Sequence, residues 1–567
     1  MGTDLSGRSR SGRSGHGHDW VRCPGCRDLI YLKRFERSLR VCPGCGRHDR
    51  VSAPERIGQL LDPGSVRPIG VASTVEDPLS FVDRAPYAER LRDTRARTGL
   101  DEAITCVHGT IDGETVVLAV MDFAFFGGSL GVAVGERIEA AARTARTLRA
   151  PLVVVTASGG ARMQEGALAL MQMVKTTQAL VDLDDAGLLT ITVVTDPTYG
   201  GVAASYATQT DIIIAEPGAH LGFAGPRVIE HTIGEKLPAG FQTAEFLAER
   251  GLIDAVVPRS ALRPLLGHLV ATVRDAGPAK PGPRLRAVHE TATPAGRDPW
   301  QTVGLARHID RPTTVDYARL MLDGFWELHG DRQGGDCPSI VGGLGRLGNR
   351  PVMLIGHQKG HSTRELVERN FGMPTPAGYR KAGRLMRLAA KLRVPVVTLI
   401  DTPGAFPGVD AERDGQAWAI AANLRLMSTL PVPVVAVVTG EGGSGGALAL
   451  GVADRVLALE NAVYSVISPE WCAAILWRDS AAAPVAARQL QLDPPALLRR
   501  GVIDGVVAEP AGGAQADHLA AATAVRAAVL DALGELDGTG PELLLAARRR
   551  RYAGFGLEPF AESEEAA

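Results

Sequence analysis

Two stretches of this chain share one pattern: VVTDPTYGGVAASYA at residues 193–207 and VVTGEGGSGGALALG at residues 437–451. Each begins with β-branched residues, which favour a parallel strand that is covered on both faces. Each then reaches a glycine pair, Gly200–Gly201 or Gly445–Gly446, followed by small residues that are typical of a helix. Because glycine has no Cβ, backbone N–H groups there can approach a ligand closely, and the start of a helix adds its own unpaired N–H groups. The pattern therefore predicts two turns that bind an oxyanion.

The order of elements around these stretches occurs twice along the chain, which predicts two homologous α/β domains. The closing segment RGLIDAVVP at 250–258 returns as RGVIDGVVAEP at 500–510. Between the copies, residues 275–300 lose apolar periodicity and gain proline, glycine and charge, so we expect a linker there. A single glycine pair is explained at least as well by tight packing of a strand-to-helix turn as by binding of an oxyanion. Two copies in matching contexts, in domains at 51–274 and 301–545, favour binding.

Four of the seven cysteines lie close together near the N-terminus. Cys23, Cys26, Cys42 and Cys45 form two C-x2-C turns with fifteen residues between them. Each turn directs two thiolates to one point, so two turns complete a closed tetrahedral zinc site with no position for water. We therefore predict a four-cysteine zinc ribbon at residues 20–50 that holds one structural Zn²⁺. Two disulfides or free thiols are the alternative.

The N-terminal part is also locally basic. Its first 50 residues contain 11 Lys plus Arg and 5 Asp plus Glu. Such a surface can contact nucleic acid or the phosphates of a nucleotide-bearing substrate, although a solvated basic face is the commoner explanation.

The composition is that of a globular protein without an extreme charge. The chain has 567 residues, of which 45% are hydrophobic and 22% charged, and its formal net charge is −2. This balance argues against a chain-wide role in nucleic-acid or membrane binding. No apolar run approaches the roughly 18 residues of a membrane span, and residues 1–19 lack the apolar core of a secretory signal. We expect a cytoplasmic protein with a disordered N-terminal tail and a charged, disordered tail at 546–567.

A third glycine turn precedes the first glycine pair in the sequence. The segment PLVVVTASGGARMQEG predicts a strand, a turn at Ser158, Gly159 and Gly160, and a helix with Arg162 and Glu165 in its first turns. A cation at a helix N-terminus opposes the helix dipole, so Arg162 requires an anionic partner. That partner is either a phosphate or carboxylate of the substrate, or Glu165 or another neighbouring acid in a salt bridge.

A serine hydrolase is a competing interpretation of the second stretch. GGSGG at 442–446 contains G-x-S-x-G and places Ser444 between a strand and a helix, where a nucleophile elbow belongs. The only histidine after Ser444 is His518, which lies in an alanine-rich stretch without a turn signal. The hydrolase order of nucleophile, acid and histidine therefore has little support here.

Longer strings in both halves resemble a known enzyme family. VVVTASGGARMQE, VVTDPTYGGVAAS, FAGPRVIE, EKLPAGFQTAEFL and the four-cysteine ribbon resemble the beta subunit of bacterial acetyl-coenzyme A carboxylase carboxyltransferase. LARHIDRPTTVDY, IGHQKG, RNFGMPTPAGYRKAGRLM, IDTPGAFPG, GEGGSGGALA and YSVISPE resemble its alpha subunit. The resemblance covers residues 20–265 and 300–535. The two subunits are usually separate chains, whereas here they form one polypeptide with the beta-like half first.

The resemblance implies a crotonase-like fold in each half and transfer of the carboxyl group from N1-carboxybiotin to acetyl-CoA, giving malonyl-CoA for fatty-acid biosynthesis. In this hypothesis Gly200 and Gly201 hold the thioester oxygen of the enolate, and Gly445 and Gly446 hold the ureido oxygen of biotin. The further expected site residues are Gly442 and Gly443, which shape the second turn, and Gly159, Gly160 and Arg162, which contact coenzyme A.

The implied partners are a biotin carboxyl carrier protein and a biotin carboxylase. The chain contains no A-M-K-M-like biotinylation sequence and no P-loop for ATP, so carboxybiotin is expected on a separate carrier. We also expect at least a dimer, because folds of this family pack across pseudo-two-fold interfaces. The alternatives are a carboxyltransferase for propionyl-CoA or another acyl-CoA, and a zinc-ribbon regulator that binds nucleic acid through the basic N-terminal part.

Overall fold

The computed structural model describes residues 20–274 and 297–556. The predicted N-terminal tail, most of the predicted linker (275–296) and the last residues (557–567) lie outside the described residues. The part of the predicted linker that is described is not all loop, because a helix begins at Pro299.

The N-terminal ribbon is a small unit with its own core. It consists of strands β1 (Trp20–Arg22) and β2 (Leu29–Tyr31), which pair antiparallel, and helix α1 (Leu32–Arg37). Its buried residues are Cys23, Ile30, Phe35 and Cys42. A core of four side chains is too small to hold a fold by itself, so the ribbon requires a metal or its contact with the next domain.

The first α/β domain is built on one eight-stranded sheet with the strand order β10-β8-β7-β6-β5-β4-β3, and with β9 paired to β7 beside this path. Its strands are β3 (Arg67–Pro68), β4 (Ile104–Ile111), β5 (Glu114–Met121), β6 (Leu152–Ser158), β7 (Thr190–Tyr199), β8 (Ile212–Ala215), β9 (Leu221–Gly222) and β10 (Ala255–Val256). β4 and β5 form an antiparallel hairpin, and β5 through β8 are parallel.

The second domain repeats this sheet strand for strand, with the order β11-β12-β13-β14-β15-β16-β18 and with β17 paired to β15. Its strands are β11 (Asp323–Glu327), β12 (Ile340–Leu347), β13 (Arg350–His357), β14 (Val396–Thr402), β15 (Val434–Gly443), β16 (Arg455–Leu459), β17 (Val463–Ser465) and β18 (Gly505–Val507). The predicted duplication of an α/β domain is confirmed.

Helices cover the sheets. Those of the first domain are α2 (Ala53–Leu60), α3 (Tyr87–Thr98), α4 (Val132–Leu148), α5 (Ala167–Ala186), α6 (Gly200–Ala203), α7 (Pro226–Ile233), α8 (Ala244–Glu249) and α9 (Arg259–Val273). Those of the second domain are α10 (Pro299–Ala306), α11 (Thr314–Met321), α12 (Thr363–Glu368), α13 (Pro376–Leu392), α14 (Val409–Arg413), α15 (Gln416–Met427), α16 (Ser444–Leu448), α17 (Pro469–Leu476), α18 (Ala483–Leu490), α19 (Pro494–Arg499), α20 (His518–Glu535) and α21 (Pro541–Ala553). Within 20–274 and 297–556, no helix combines the length and apolarity that a membrane crossing requires.

The central strands are buried on both faces, as their β-branched runs predict. Every residue of β6 and of β14 is buried. Continuous burial is characteristic of parallel strands that are covered by helices on both sides. The glycine turns therefore follow strands that lie in the core of each domain.

The two domains contact each other directly within the chain. Asp254 of the first domain accepts a hydrogen bond from Arg384 of the second at 3.0 Å and also pairs with Arg332. Lys391 of α13 forms an ion pair with Asp211 at 2.6 Å. Apolar residues of both sheets belong to one continuous core.

The predicted boundary of the C-terminal tail at residue 546 is wrong. Helix α21 continues to Ala553, and Arg548 inside it is 2% exposed. The Arg548 guanidinium donates to Asp454 at 2.6 and 2.9 Å and to carbonyl groups of the loop before β15. The run of four arginines therefore contains a buried anchor and is not a solvated tail.

Candidate functional site

The first glycine turns form where β6 and β7 end side by side. The Ser158 hydroxyl accepts a hydrogen bond from the Gly160 N–H at 3.0 Å, and Gly160 has φ +129°. Gly200 has φ +60°, and a Cβ built on it would lie 2.9 Å from the Gly160 Cα. The two backbones touch at this point, which explains why both positions are glycine.

Most N–H groups of the two turns are already bonded. The Gly200 N–H donates to the Phe223 carbonyl at 2.9 Å, and the Gly159 N–H donates to the Gly127 carbonyl at 2.8 Å. In the described part of the chain, the N–H groups of Ala161 and Gly201 have no acceptor, and no side chain caps α6. A Cβ on Gly201 would lie 3.6 Å from the Ala161 Cβ. Ala161 and Gly201 are therefore the adjacent donors that an oxyanion can use. Gly200 instead provides the positive φ that the turn requires.

The second domain repeats this arrangement. The Thr402 hydroxyl accepts from the Gly404 N–H at 3.1 Å, as Ser158 does from Gly160. Thr402 pairs with Gly442 in the same register as Ser158 with Thr198. Counting on from these pairs, the residues that correspond to Ala161, Gly200, Gly201 and Val202 are Ala405, Ser444, Gly445 and Gly446.

The match of Gly200–Gly201 with Gly445–Gly446, made from the sequence, is therefore wrong by one residue. Ser444, not Gly445, takes the place of Gly200, and its φ of +55° matches. Gly445 takes the place of Gly201 and has open space where a Cβ would be. Gly446 takes the place of Val202: a Cβ on it would lie 2.4 Å from the Ala405 nitrogen. Gly446 serves close packing, and Ala405 with Gly445 are the candidate donors.

Gly442 and Gly443 end β15 and pack against neighbouring backbone and ring atoms. A Cβ on Gly442 would lie 2.5 Å from the Tyr464 ring, and one on Gly443 would lie 2.0 Å from the Pro403 carbonyl oxygen. Both glycines therefore let the second turn approach its neighbours closely.

The competing hydrolase arrangement is not formed around Ser444. The His518 ring nitrogen bonds the Asp310 carbonyl at 2.6 Å, and the ring stacks on His361. Among the hydrogen bonds of the described residues, none joins a histidine to Ser444.

Arg162 lies in a buried charge cluster behind the first turn. Its guanidinium donates to Glu102 at 2.5 and 2.9 Å and to Glu165 at 3.3 Å. Glu165 also accepts from the Tyr87 hydroxyl and from the Val132 N–H, both at 2.6 Å. The structure thus shows the salt bridge, the second of the two interpretations of Arg162. Arg162 also precedes the helix: α5 begins at Ala167, after a short 3₁₀ turn at Met163–Glu165.

A cavity of about 710 Å³ lies between the ribbon and the first domain. Its floor contains Phe123, Ala157 and Asp196, at the carboxyl ends of β5, β6 and β7. Its other wall comes from the ribbon and the start of α2 and includes Arg47, Arg50 and Arg56. In α/β sheets this edge is where ligands bind. The cavity reaches Ala157, the residue before Ser158 of the first turn.

The corresponding place in the second domain is occupied by charged side chains. Lys359 follows β13 as Phe123 follows β5, and Asp401 precedes Thr402 as Ala157 precedes Ser158. The Lys359 ammonium donates to Asp401 at 2.7 Å and to Glu441 at 3.0 Å. Burial alone would lower the pKa of Lys359, but the two carboxylates raise it above its ordinary value. This cluster could not be predicted from the sequence, because Lys359 follows β13 whereas Asp401 and Glu441 lie in β14 and β15.

The four predicted zinc ligands lie together in the ribbon. The sulfur atoms of Cys23, Cys26, Cys42 and Cys45 all lie within 4.8 Å of one another. The Cys23–Cys45 and Cys26–Cys42 sulfur distances are 3.7 Å. Tetrahedral zinc with Zn–S bonds of about 2.3 Å places its sulfur atoms about 3.8 Å apart. The donor set fits structural zinc.

We expect Cys42→Ser to release the metal and disorder the ribbon. A closed four-cysteine site loses most of its affinity for zinc when one ligand is removed. The ribbon core is too small to remain folded without the metal. Metal analysis should fall from one zinc per chain to nearly none, and amide exchange of residues 20–50 should accelerate. Cys106→Ser, at a buried cysteine of β4, is the matched control. Full zinc content in Cys42→Ser would contradict this assignment.

Family models and similar proteins of known name match most of the chain. Three family models match: an acetyl-CoA carboxylase zinc finger domain at residues 20–45, a carboxyl transferase domain at 71–250, and an acetyl co-enzyme A carboxylase carboxyltransferase-like domain at 288–556. The chain is 58% identical over 560 residues to an acetyl-coenzyme A carboxylase carboxyl transferase subunits beta/alpha protein of Parafrankia sp. (strain EAN1pec), covering 95% of this chain and 91% of that protein. It is 57% identical over 549 residues to the protein of the same name in Salinispora arenicola (strain CNS-205), covering 95% and 97%.

A solved structure shows the same fold. The crystal structure of transcarboxylase 12S with methylmalonyl-coenzyme A and methylmalonic acid bound superposes with a TM-score of 0.67 at 23% identity, covering 90% of this chain and 92% of that one. This superposition confirms the predicted crotonase-like fold of the two domains. The zinc ribbon before them is confirmed by the zinc finger family match and the four clustered cysteines. On these matches the chain belongs to the family of acetyl-coenzyme A carboxylase carboxyl transferases in which the beta and alpha subunits are fused, and it is a carboxyltransferase.

Proposed function

We propose that this chain transfers the carboxyl group from N1 of carboxybiotin, carried on a separate protein, to the methyl carbon of acetyl-CoA. The product is malonyl-CoA for fatty-acid biosynthesis. The observation that supports this is the duplicated turn, in which the N–H groups of four residues have no acceptor among residues 20–274 and 297–556: Ala161 with Gly201, and Ala405 with Gly445. Carboxyl transfer develops negative charge on two oxygens, one on the thioester and one on the biotin ureido group.

The two turns divide the chemistry between them. The second turn holds the ureido oxygen while the N–C bond of carboxybiotin breaks and carbon dioxide leaves. The resulting ureido anion takes a proton from the acetyl methyl group, and the first turn holds the enolate oxygen that forms. The enolate carbon then bonds to carbon dioxide, so the proton ends on biotin and the carboxyl group on malonyl-CoA. Preorganised N–H donors of this kind typically contribute about 10²–10³ in rate each.

The first turn is assigned to coenzyme A because only this side opens on the ribbon cavity described above. The equivalent place at the second turn is filled by Lys359, Asp401 and Glu441. Lys359 is protonated and paired with two carboxylates, so it is a poor general base at neutral pH. This agrees with a mechanism in which the ureido anion of biotin, and not a side chain, accepts the proton from the acetyl methyl group.

Biotin carboxyl carrier protein and biotin carboxylase are the proposed partners, and the proposed location is the cytoplasm. The chain is also proposed to assemble at least as a dimer. Helix α17 presents Trp471, Ile475 and Leu476 with 63–70% exposure. An exposed apolar patch of this kind marks a protein interface more often than a free surface.

The reverse reaction tests this function most directly. Purified chain with malonyl-CoA and free biotin or biocytin should form carboxybiotin and acetyl-CoA, measured by acetyl-CoA release. Methylmalonyl-CoA run in parallel separates the alternative substrate. Equal or faster turnover of methylmalonyl-CoA would assign the chain to propionyl-CoA instead, and no biotin-dependent release from either thioester would refute carboxyl transfer from biotin.

A further inference from the structure

The cavity under the ribbon has a wall that is rich in guanidinium groups. Five arginines line it: Arg40, Arg47, Arg50, Arg56 and Arg259. The floor of the cavity is contributed by the first domain, so a ligand there would touch both units. The charge that remains available in this wall depends on which of the five arginines already have carboxylate partners.

Of the five carboxylates that line the cavity, four are engaged, and only Asp49 forms no ion pair or side-chain hydrogen bond within residues 20–274 and 297–556. Glu216 pairs with Arg259 at 2.5 Å and with Arg56 at 2.7 Å, and Glu55 pairs with Arg40 at 2.8 Å. Asp196 accepts from the His220 ring at 2.8 Å, and Asp122 accepts from the N–H groups of Ala53 and Ala124 at 2.9 Å.

Two arginines of the wall remain without a carboxylate. Within residues 20–274 and 297–556, no ion pair is formed by Arg47 or Arg50. Both side chains are exposed, and the Arg50 guanidinium lies 3.9 Å from the centre of the Phe123 ring on the cavity floor. The two guanidinium groups therefore carry two positive charges that no ion pair neutralises, against the single negative charge of the unpaired Asp49 carboxylate.

Arg56 supplies an independent sign of a missing anion. Its side chain is 4% exposed, yet in the described part of the chain its Nη1 has no hydrogen-bond partner. A buried charged nitrogen without a partner is costly and is rarely retained without a ligand or other function. A phosphate offers several oxygen acceptors, and guanidinium groups bind phosphate in a bidentate manner.

We infer that this cavity binds the phosphate groups at the nucleotide end of coenzyme A, with Arg47 and Arg50 of the ribbon and Arg56 of α2 as the contacts. The inference rests on the proposed function for the identity of the substrate, since the geometry alone indicates a phosphorylated ligand. The ribbon is then part of the substrate site: it supplies two of the three phosphate contacts, while the zinc holds them in place.

Binding of adenosine 3′,5′-bisphosphate to the zinc-loaded full chain tests this inference. We expect the double variant Arg47→Gln/Arg50→Gln to bind this probe at least about tenfold more weakly in calorimetry, because each charged hydrogen bond to phosphate contributes about 10-fold or more. The matched control is Arg34→Gln/Arg37→Gln, which removes the same charge from exposed positions of α1 outside the cavity wall. Its affinity should stay within twofold of wild type.

Kinetics separate this inference from the proposed function. In Arg47→Gln/Arg50→Gln the KM for acetyl-CoA should rise at least about tenfold with kcat within twofold, while acetyl-pantetheine, which lacks the nucleotide, should react as with wild type. Unchanged probe affinity and unchanged KM in an active enzyme would refute the phosphate site and leave carboxyl transfer standing. Probe binding that is lost in the variant, in a chain without transferase activity, would refute the proposed function and leave the phosphate site standing.

Discussion

Replacing Gly445 with valine is expected to lower kcat for carboxyl transfer by about 10²–10³ while leaving the fold intact. Apart from its chain neighbours and its own helix backbone, no atom of the described residues lies within 4 Å of the position that a Cβ on Gly445 would take, so the added Cβ causes no clash there. It would project into open space at the second turn, where Ala405 and Gly445 are the candidate N–H donors. A ligand oxygen bound by this turn would lie against Gly445, so we expect the bulkier valine to hinder its approach. Steady-state kinetics of the reverse reaction with biocytin measure the loss.

One variant and one binding measurement are the controls for this experiment. Gly534→Val places the same side chain at another open glycine, in α20, and should keep turnover within twofold. Binding of adenosine 3′,5′-bisphosphate to Gly445→Val should match wild type, because the coenzyme A side is untouched. Gly446→Val is not a suitable substitute, since its Cβ would overlap the Ala405 nitrogen and disturb packing whatever the role of the turn. Full activity of Gly445→Val would show that the second turn does not bind a reacting oxygen.

The strands and the duplication could be predicted from sequence because their signals are local. The runs Val193–Val194 and Val434–Val438 lie in β7 and β15, where continuous burial demands apolar β-branched residues. The cysteine spacing was equally informative, since two short turns suffice to gather four thiols. In each case the residues that define the feature are neighbours in the chain.

The register of the second turn was harder to predict because GGSGG offers several glycine pairs. Which pair matches Gly200–Gly201 depends on strand pairing, with Gly442 opposite Tyr464 and Thr402. The structure places a serine, at φ +55°, where the first domain uses a glycine. Ala161 and Ala405 were missed because a backbone N–H leaves no trace in residue type. Comparing the segments SGGA and TPGA, which occupy the same place in the two domains, would have identified both.

Long-range partners of charged residues could not be predicted. Glu165 was identified as a partner of Arg162 because it lies three residues away, whereas the shorter contact is with Glu102, 60 positions earlier. The same limit explains the error at the C-terminus. A run of four arginines has the composition of a solvated tail, and only the fold brings Asp454 to Arg548.

Arg162→Leu is expected to destabilise the first domain by about 3–5 kcal/mol, because it leaves the carboxylates of Glu102 and Glu165 buried without their cation. Hydrogen exchange of β6 and α5 amides should accelerate accordingly, since exchange reports local stability even in a chain with several domains. Arg162 follows Ala161 directly, and its own N–H donates to the Leu130 carbonyl at 2.9 Å. Loss of the cluster should therefore also displace the Ala161 donor and lower kcat. Arg162→Lys keeps the charge but not the paired contacts with Glu102. Its exchange rates and its kcat should therefore lie between those of wild type and Arg162→Leu.

Arg364→Leu is the matched control for this prediction. It breaks an ion pair with Glu368 in which the two side chains are 88% and 56% exposed, and such surface pairs contribute about 0–1 kcal/mol. Equal exchange rates in Arg162→Leu and Arg364→Leu would mean that the buried cluster does not support the first turn. Accelerated exchange with unchanged kcat would mean that it supports the domain without positioning the Ala161 N–H. The combination expected here, lower protection together with lower kcat and unaltered zinc content, requires that the cluster holds this donor toward the coenzyme A side.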